Sequence, residues 1–578
     1  MDELTLATSV AALLRWRVRE KRDDQAVAHV AHFDGPDGVT SWTYGRLDEE
    51  ARAVAARLRH RNSPGDRVLL LYPVGLPFVA AFIGCLYAGV IAVPAPEPGQ
   101  YSQQRRRLRA IATDADVRTV LTDASAHEAV LTWRAEDRLD HLQVIATDIP
   151  DQDSGILDEG DAGDAVETDH GTVVLLQYTS GSTGDAKGVM ITNGNMLHNG
   201  AAYLRGMGQQ PGYRSGGWLP LYHDMGLSAQ LLPALMAGGS CHLMQPMTFV
   251  RRPHLWLRMI DTFGIQVSHA PNFAYELCQR KIKDEQVAGL DLSRWEYAGN
   301  GSEPVQASVL TAFAKRFADH GFRETALGPS YGMAETVVYV SGASGRRPVV
   351  RSVDAELLEQ GEFAPARLGR QARHLVGCGP VEDAYDVSVV DPVTRRTMPP
   401  DGLGEIWLRG PSVSQGYWRR KESSRETFDA QLADGDGGWL RTGDLGIVID
   451  GEIFVSGRIK DLLIVRGRNL YPHDIENELR LQHPELGQVG AAFGVSSTEA
   501  EPTEERVVVT HEVRGNDADR LAALGKAMKL TVAREFGTES TVALLRPGSV
   551  LRTTSGKVRR GEMRRLYLAG ELAPVWQG

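Results

Sequence analysis

The stretch Tyr178-Thr179-Ser180-Gly181-Ser182-Thr183-Gly184-Asp185-Ala186-Lys187-Gly188 constrains this chain most, because one apolar run, 172–176, leads into it and another, 189–192, leads away. The spacing predicts a strand, a tight loop and a second strand. Gly181 and Gly184 free the backbone to turn tightly. The hydroxyls of Thr179, Ser180, Ser182 and Thr183 and successive amide N–H groups can converge on one anion, and Lys187 adds a point charge. Such a loop suits a polyphosphate. It is not a Walker A loop, in which Lys is followed by Ser or Thr and a helix, since Lys187 precedes Gly188 and a β-branched run. A flexible Ser/Gly linker is the other reading of this composition, and the two flanking strand-like runs weigh against it.

A chain of 578 residues is too long for one hydrophobic core, so at least two domains are expected. The composition, 42% hydrophobic and 24% charged, is that of a globular protein, and the net charge of -11 disfavours a general nucleic-acid binder. Cys85, Cys241, Cys278 and Cys378 are widely spaced with no CxxC pair, which predicts buried, reduced thiols. The N-terminus lacks a basic region before its first apolar stretch, so a cytoplasmic location is expected. The longest apolar region, 68–94, is interrupted by Pro73, Gly75, Pro77 and Gly89. It reads as strand (68–72), crossover helix (78–88) and strand (90–93) of a parallel sheet, with no membrane span.

Leu47, Ala51, Val54 and Leu58 recur at helical spacing and predict a helix over 44–59. A short strand is expected at 118–121, an acidic surface loop at 150–169, and a helix running from Asn193 as N-cap to 205. Strands alternating with helices over several hundred residues predict an α/β architecture.

Further motifs follow in order. Trp218-Leu219-Pro220-Leu221-Tyr222-His223-Asp224-Met225-Gly226-Leu227 crowds aromatic, imidazole and carboxylate groups ahead of a glycine. Ser268-His269-Ala270-Pro271-Asn272-Phe273-Ala274-Tyr275 offers walls suited to an alkyl chain, or to ordinary core packing. Two glycine turns, Tyr297-Ala298-Gly299-Asn300-Gly301-Ser302-Glu303-Pro304 and Pro329-Ser330-Tyr331-Gly332-Met333-Ala334-Glu335, each follow a strand-like run, where open α/β sheets place ligands. A strand pattern at 404–410, Gly416-Tyr417-Trp418, the turn around Thr442-Gly443-Asp444, a boundary at 457–469 and a glycine loop, Thr553-Thr554-Ser555-Gly556-Lys557, complete the series. Past the boundary, a helix is expected near 474–480, strands near 489–495 and 506–513, and a helix from Asp517 to Gly537.

In this order the motifs resemble those of the adenylate-forming superfamily, and Tyr222-His223-Asp224-Met225-Gly226-Leu227 with Ala334-Glu335 is most similar to its fatty acyl-AMP ligase branch. The resemblance implies an acyl-adenylate synthetase fold: a large N-terminal domain of layered α/β sheets, 1–456, and a small mobile α+β C-terminal domain, 457–578. It implies a branch-type insertion at about 341–376, a segment that composition alone reads equally as a charged surface loop without strand alternation. The implied cofactors are ATP and magnesium, with Thr179, Ser180, Gly181, Ser182, Thr183, Gly184 and Lys187 on the phosphates. Gly301, Ser302, Tyr331, Gly332, Met333 and Ala334 would lie around the adenine, and Asp444 and Arg458 on the ribose. Glu335 would hold magnesium, His223 would gate or position the substrate, Lys460 would be the hinge, and Lys557 would enter the site during adenylation. Ala334 replaces the superfamily's more common Thr, a role that Thr336 does not inherit by proximity. The implied activity is activation of a long-chain fatty acid to acyl-AMP with release of pyrophosphate. Transfer would follow to the phosphopantetheine thiol of an acyl carrier protein, or of a polyketide or peptide synthase carrier domain. A fatty acyl-CoA synthetase and a catalytically silent adenylate-binding protein are the alternatives.

Overall fold

The computed structural model describes residues 4, 6–33, 36–99, 102–149, 165–179, 186–465, 468–498, 501–553 and 556–578. The first half of the chain builds two mostly parallel sheets covered by helices. One has six strands in the order Gln143–Ala146, Thr119–Thr122, Arg67–Leu71, Ile91–Ala95, Val173–Thr179, Lys187–Thr192. The apolar region at 68–94 forms the expected strand, helix and strand. Its helix, Leu76–Ala88, is buried along nearly its whole length and stops at Gly89, whose φ of 70° closes the end in the left-handed region. The amphipathic helix Tyr44–Arg59 packs on it so closely that a Cβ on Gly84 would stand 2.8 Å from Val54.

The second sheet has eight strands, in the order Ser341–Gly342, Leu327–Tyr331, Tyr297–Asn300, Val267–Ala270, Arg214–Gly217, Ser240–Leu243, Gln25–Val30, Val39–Thr43. The two glycine turns expected to carry ligands leave neighbouring parallel strands of this sheet, so they emerge side by side. The helix after the phosphate loop spans Asn193–Gly206, with a correction at its start: Thr192 is the N-cap, closing a capping box with Asn195. Asn193 instead accepts from the backbone N–H of Val10, tying down the first helix. A π-helix, Met225–Leu231, interrupts the sequence before the short α-helix Leu232–Met236. Pro233 has no N–H to continue an α ladder backwards, and the Leu232 N–H reaches five residues back to the Leu227 carbonyl.

A six-stranded antiparallel sheet follows, in the order Val350–Asp354, Ala372–Pro380, Glu452–Arg458, Leu440–Ile449, Gly404–Arg409, Asp386–Val390. Two expectations are corrected here. The segment 341–376 contains regular structure before Val376: Val350–Asp354 pairs antiparallel with Ala372–Pro380, and Asp354 caps a one-turn helix, Ala355–Glu359. Val350–Asp354 is a short edge strand whose first three residues are exposed, so it shows little apolar alternation. Its buried Val353 and the helix's Leu358 pack with Leu375, Ile447 and Phe454. Asp444, expected on a turn, lies within the strand Leu440–Ile449, directly after Gly443 at φ 69°.

Beyond residue 462, a four-stranded sheet of Leu486–Thr498, Glu501–Val513, Ser540–Leu545 and Trp576–Gln577 is flanked by the helices Pro472–Gln482 and Ala518–Phe536. The second helix begins at Asp517 as N-cap and ends on Gly537 in the left-handed region, as its sequence signals require. One apolar cluster here draws only on residues between Leu463 and Trp576. All four cysteines are buried and unbridged, and no described helix is long and apolar enough to cross a membrane.

Candidate active site

The apolar runs around the phosphate loop become an antiparallel hairpin, Val173–Thr179 with Lys187–Thr192, which sets Thr179 opposite Lys187. Ser180, Gly181, Ser182, Thr183 and Gly184 lie outside the described residues. The segment 414–418 clamps this hairpin to the Glu335 turn. The Met190 N–H donates to Gly416 O at 2.9 Å, the Trp418 N–H to Gly188 O at 2.8 Å, and the Ser414 N–H to Glu335 O at 2.9 Å. Tyr417 bridges the charges: its hydroxyl donates to Glu335 Oε1 at 2.8 Å, and Lys187 Nζ stands 4.8 Å from its ring centroid. Sequence reasoning recorded Gly416-Tyr417-Trp418 as a motif and missed this role.

Glu335 sits on a 3₁₀ turn, Ala334–Thr336, just past the strand Leu327–Tyr331. Val337 follows at φ 66° and ψ -62°, and the Val338 N–H reaches the Thr336 carbonyl at 2.8 Å, which makes a γ-turn. A β-branched residue in that conformation is strained, and such strain gathers at functional sites. The Thr336 hydroxyl turns inward to Met333 O at 3.0 Å, away from any phosphate role. Met333 and Ala334 are buried, Met333 beside Tyr331 in the apolar cluster of the antiparallel sheet.

Asp444 is buried and receives two donors: Tyr331 Oη at 2.8 Å on Oδ2 and Arg458 Nε at 2.7 Å on Oδ1. Each carboxylate oxygen keeps a further lone pair. Asp444 in turn raises the pKa of Arg458, so its charge is secure. Lys460 is exposed on the 3₁₀ turn Ile459–Asp461, two residues on.

Lys557 is carried on a small hairpin in which Arg552 pairs with Val558 and the Lys557 N–H donates to Thr553 Oγ1 at 3.0 Å. Gly556, at φ 90°, lies against Phe273; a Cβ there would stand 2.8 Å from the ring. The loop is therefore docked on the large α/β part of the molecule. Burial, then the charge of Arg458, lowers the pKa of Lys557, while Asp224, Glu303 and Asp444 oppose that shift. Burial, with Arg107 and Lys557 adding to it, takes His223 down to about 3, so its imidazole is neutral. Burial raises Asp224 and Glu303, and Glu303 also accepts the Phe273 N–H at 2.6 Å. Asp224, Glu303 and Arg107 were given no role from sequence. Asp224 had a signal in its place beside His223, whereas Arg107, in a basic run of a surface-like helix, had none.

Asp224 and Tyr331 also line a cleft. Gly301, Ser302, Tyr331 and Gly332 line one part of it, with Ser302 held at φ 71°. Tyr203, Met207, Met225, Ala229, His269, Val338 and Tyr339 line the other. Asp224 lines the same cleft. The wide turns of the π-helix bring Met225 and Ala229 to the same face.

Residues 14–418 match the family model of the AMP-binding enzymes. The chain is 40% identical over 557 residues, 93% of its length and 92% of the relative's, to the medium-chain-fatty-acid acyl-carrier-protein ligase JamA of Moorena producens. It is 36% identical over 571 residues, 96% of each chain, to the long-chain-fatty-acid AMP ligase FadD26 of Mycobacterium tuberculosis. Among solved structures, one from work on the fatty acyl-adenylate ligases of E. coli and L. pneumophila superposes with a TM-score of 0.86 at 30% identity, covering 98% of this chain and 99% of that one. The L. pneumophila fatty acyl-adenylate ligase in complex with acyl adenylate and pyrophosphate superposes with a TM-score of 0.75 at 32% identity, covering 100% and 99%. By sequence along nearly its whole length and by its layered α/β fold, the chain belongs to the AMP-binding enzyme family, in the fatty acyl-AMP ligase branch.

Proposed function

We propose that this protein activates a fatty acid with ATP to acyl-AMP and pyrophosphate, then passes the acyl group to the phosphopantetheine thiol of a carrier protein. One observation carries the reading: Lys557 is docked among Asp224, Glu303, Arg458 and Asp444 at the cleft onto which Tyr331, Gly301 and Ser302 open. The names of the relatives, fatty-acid AMP ligases and an acyl-carrier-protein ligase, support the substrate and the acceptor. We divide the chain into a large part, 1–456, and a small part, 457–578, a division supported by the separate apolar cluster beyond residue 462. The four buried free thiols support a cytoplasmic setting.

In the first step an oxygen of the fatty carboxylate bonds to the α-phosphorus while the bond to the β-phosphate oxygen breaks. Carboxylates are weak nucleophiles, so rate must come from positioning and charge neutralisation. Thr179, Ser180, Gly181, Ser182, Thr183, Gly184 and Lys187 hold the leaving phosphates. Asp444 and Arg458 orient the ribose, and Gly301, Ser302, Tyr331, Gly332, Met333 and Ala334 enclose the base. Lys557 neutralises charge between the attacking carboxylate and the α-phosphoryl oxygens. Neutral His223 positions the substrate without adding a competing charge. Magnesium fits Glu335, a hard-oxygen carboxylate oriented by the Tyr417 hydroxyl on Oε1, because this ion is ordinarily held by one or two carboxylates plus substrate phosphates. When bound, it would offset charge on the phosphate oxygens. In the second step the carrier thiol attacks the acyl carbon, a thioester forms and AMP leaves, with the small part turning about Lys460 to admit the thiol.

The test is mass spectrometry of reactions containing the enzyme, ATP, magnesium and a panel of fatty acids, with free coenzyme A and a phosphopantetheinylated carrier as separate acceptors. Acyl-AMP and acyl-carrier are expected, with little acyl-CoA. Absence of acyl-AMP with every acid overturns the reading, and efficient acyl-CoA formation moves the enzyme to the synthetase class.

A further inference from the structure

The acyl end of the cleft is mostly apolar, and the Tyr339 hydroxyl there already donates to Gly342 O at 3.5 Å. Met207, Met225, Ala229 and Val338 line it, and among them the Tyr203 hydroxyl meets His269 Nε2. Tyr203 is 1% exposed and His269 is 2% exposed. Tyr203 rides on the helix Asn193–Gly206 and His269 on the strand Val267–Ala270. Gly299 stands beside His269 in register on the next strand, and a Cβ there would lie 2.1 Å from Nδ1. The imidazole can take its position only because that neighbour is glycine.

The hydrogens of this pair do not balance. Burial holds His269 at about 3, so the ring is neutral and carries one N–H and one bare nitrogen. With the N–H on Nε2, it is directed at the Tyr203 oxygen. The Tyr203 hydrogen is then left over. In the opposite tautomer the left-over hydrogen is on Nδ1. Either way the pair owns two donor hydrogens and uses one, and neither side chain has a further hydrogen-bond partner among the described residues. A plain alkyl chain lying here would exclude water from that donor and leave it unmatched.

Resting on the acyl-adenylation reading of this site, we infer that the acyl substrate carries an oxygen acceptor, a hydroxyl or keto group, on the part of the chain that reaches Tyr203. Tyr203 and His269 together are then its specificity determinant. Apolar pockets reject an added hydroxyl weakly, whereas a site that donates to a substrate oxygen rejects the analogue lacking it strongly. The four apolar residues set the shape of the chain that enters, and the pair sets its chemistry.

The experiment uses the intact enzyme and acids of equal chain length, one plain and the others bearing a hydroxyl at successive carbons, with acyl-AMP and pyrophosphate both measured. At one carbon the hydroxyl is expected to raise kcat/KM by at least about tenfold over the plain acid. In the Tyr203→Phe/His269→Leu double variant that ratio is expected to fall to about one or invert, a change that a loss of packing alone does not produce. Should the variant fail to fold, the hydroxyl scan on the unmodified enzyme decides by itself. The inference is overturned if no hydroxyl position gains over the plain acid, or if the double variant folds and keeps the unmodified ratio. If plain acids form acyl-AMP best, this inference alone falls. If no acid releases pyrophosphate, the adenylation reading falls and takes this one with it.

Discussion

Lys557 and Glu335 test the reaction chemistry one side chain at a time. Lys557→Ala is expected to slow acyl-AMP formation by about 100- to 1000-fold, the usual loss for one donor at a developing charge. Transfer from supplied acyl-AMP to the carrier should fall far less; single-turnover assays of the two half-reactions measure both, and equal losses would remove Lys557 from the adenylation step. Glu335→Gln keeps the shape and a hydrogen-bonding oxygen for Tyr417 but loses the charge. Its magnesium titration of ATP binding, followed by calorimetry, should shift to higher concentration, and an unchanged titration would withdraw the metal assignment. Legibility was uneven at this scale. Motif order picked out Glu335, Asp444, Arg458 and Lys557, of which Asp444 and Arg458 pair directly, but Tyr417 was visible only once its hydroxyl met Glu335.

The 341–376 segment shows how an element can be hidden in sequence and still hold two parts of a molecule together. Its helix sends Glu359 to Arg468, whose Nε donates at 2.8 Å, and its strand sends Arg373 to Asp474 at 3.0 Å, to His473 Nε2 at 2.9 Å and over the Tyr471 ring at 4.2 Å. Because Val353 and Leu358 belong to an apolar cluster, deleting the segment would uncover the sheet beneath it, and point changes are the cleaner probe. The Glu359→Gln/Arg373→Ala pair should keep most acyl-AMP formation and make acyl-CoA slowly but detectably faster than the unmodified enzyme. Product analysis by mass spectrometry decides this, and no acyl-CoA from a well-folded variant would place the barrier elsewhere. Asp474 adds a pH signature. Burial raises its pKa to about 6, against ~3.9 in an unfolded chain. A carboxyl raised on folding contributes stability that is complete below about pH 4 and lost as the pH climbs through about 6. Denaturant melts of the wild type and Asp474→Asn should therefore converge or cross in the wild type's disfavour over that window, and a pH-independent difference would refute it.

For the molecule as a whole, the docked position of the Lys557 loop is an arrangement of large and small parts held at Gly556. Alanine there must accept a φ of 90° and also displace the Phe273 ring. Strain of this kind costs about 1–3 kcal/mol, enough to reduce the docked population by roughly 5- to 160-fold. Gly556→Ala should lose acyl-AMP formation by about that factor, with little change in the melting temperature and in acyl transfer to the carrier. A large drop in melting temperature would show that the loop supports the fold and does more than dock.

What the sequence by itself determined was local or periodic. The helix Tyr44–Arg59, the buried crossover helix, the hairpin flanking the phosphate loop and the helix between Asp517 and Gly537 all follow from residue spacing, caps and glycine punctuation, which act within a few residues. Tertiary structure decided the rest, because those outcomes depend on partners far along the chain. Asn193 gave up the cap to Thr192 since the Val10 N–H, 183 residues away, claims its side chain. Val350–Asp354 became a strand because Ala372–Pro380 offered its edge to a segment with little pattern of its own. The Tyr203–His269 pair exists because a helix and a strand 66 residues apart in sequence pack together, with a glycine on the adjoining strand leaving room for the ring. Periodicity reports which face of an element is buried, but only packing decides which side chain it meets there.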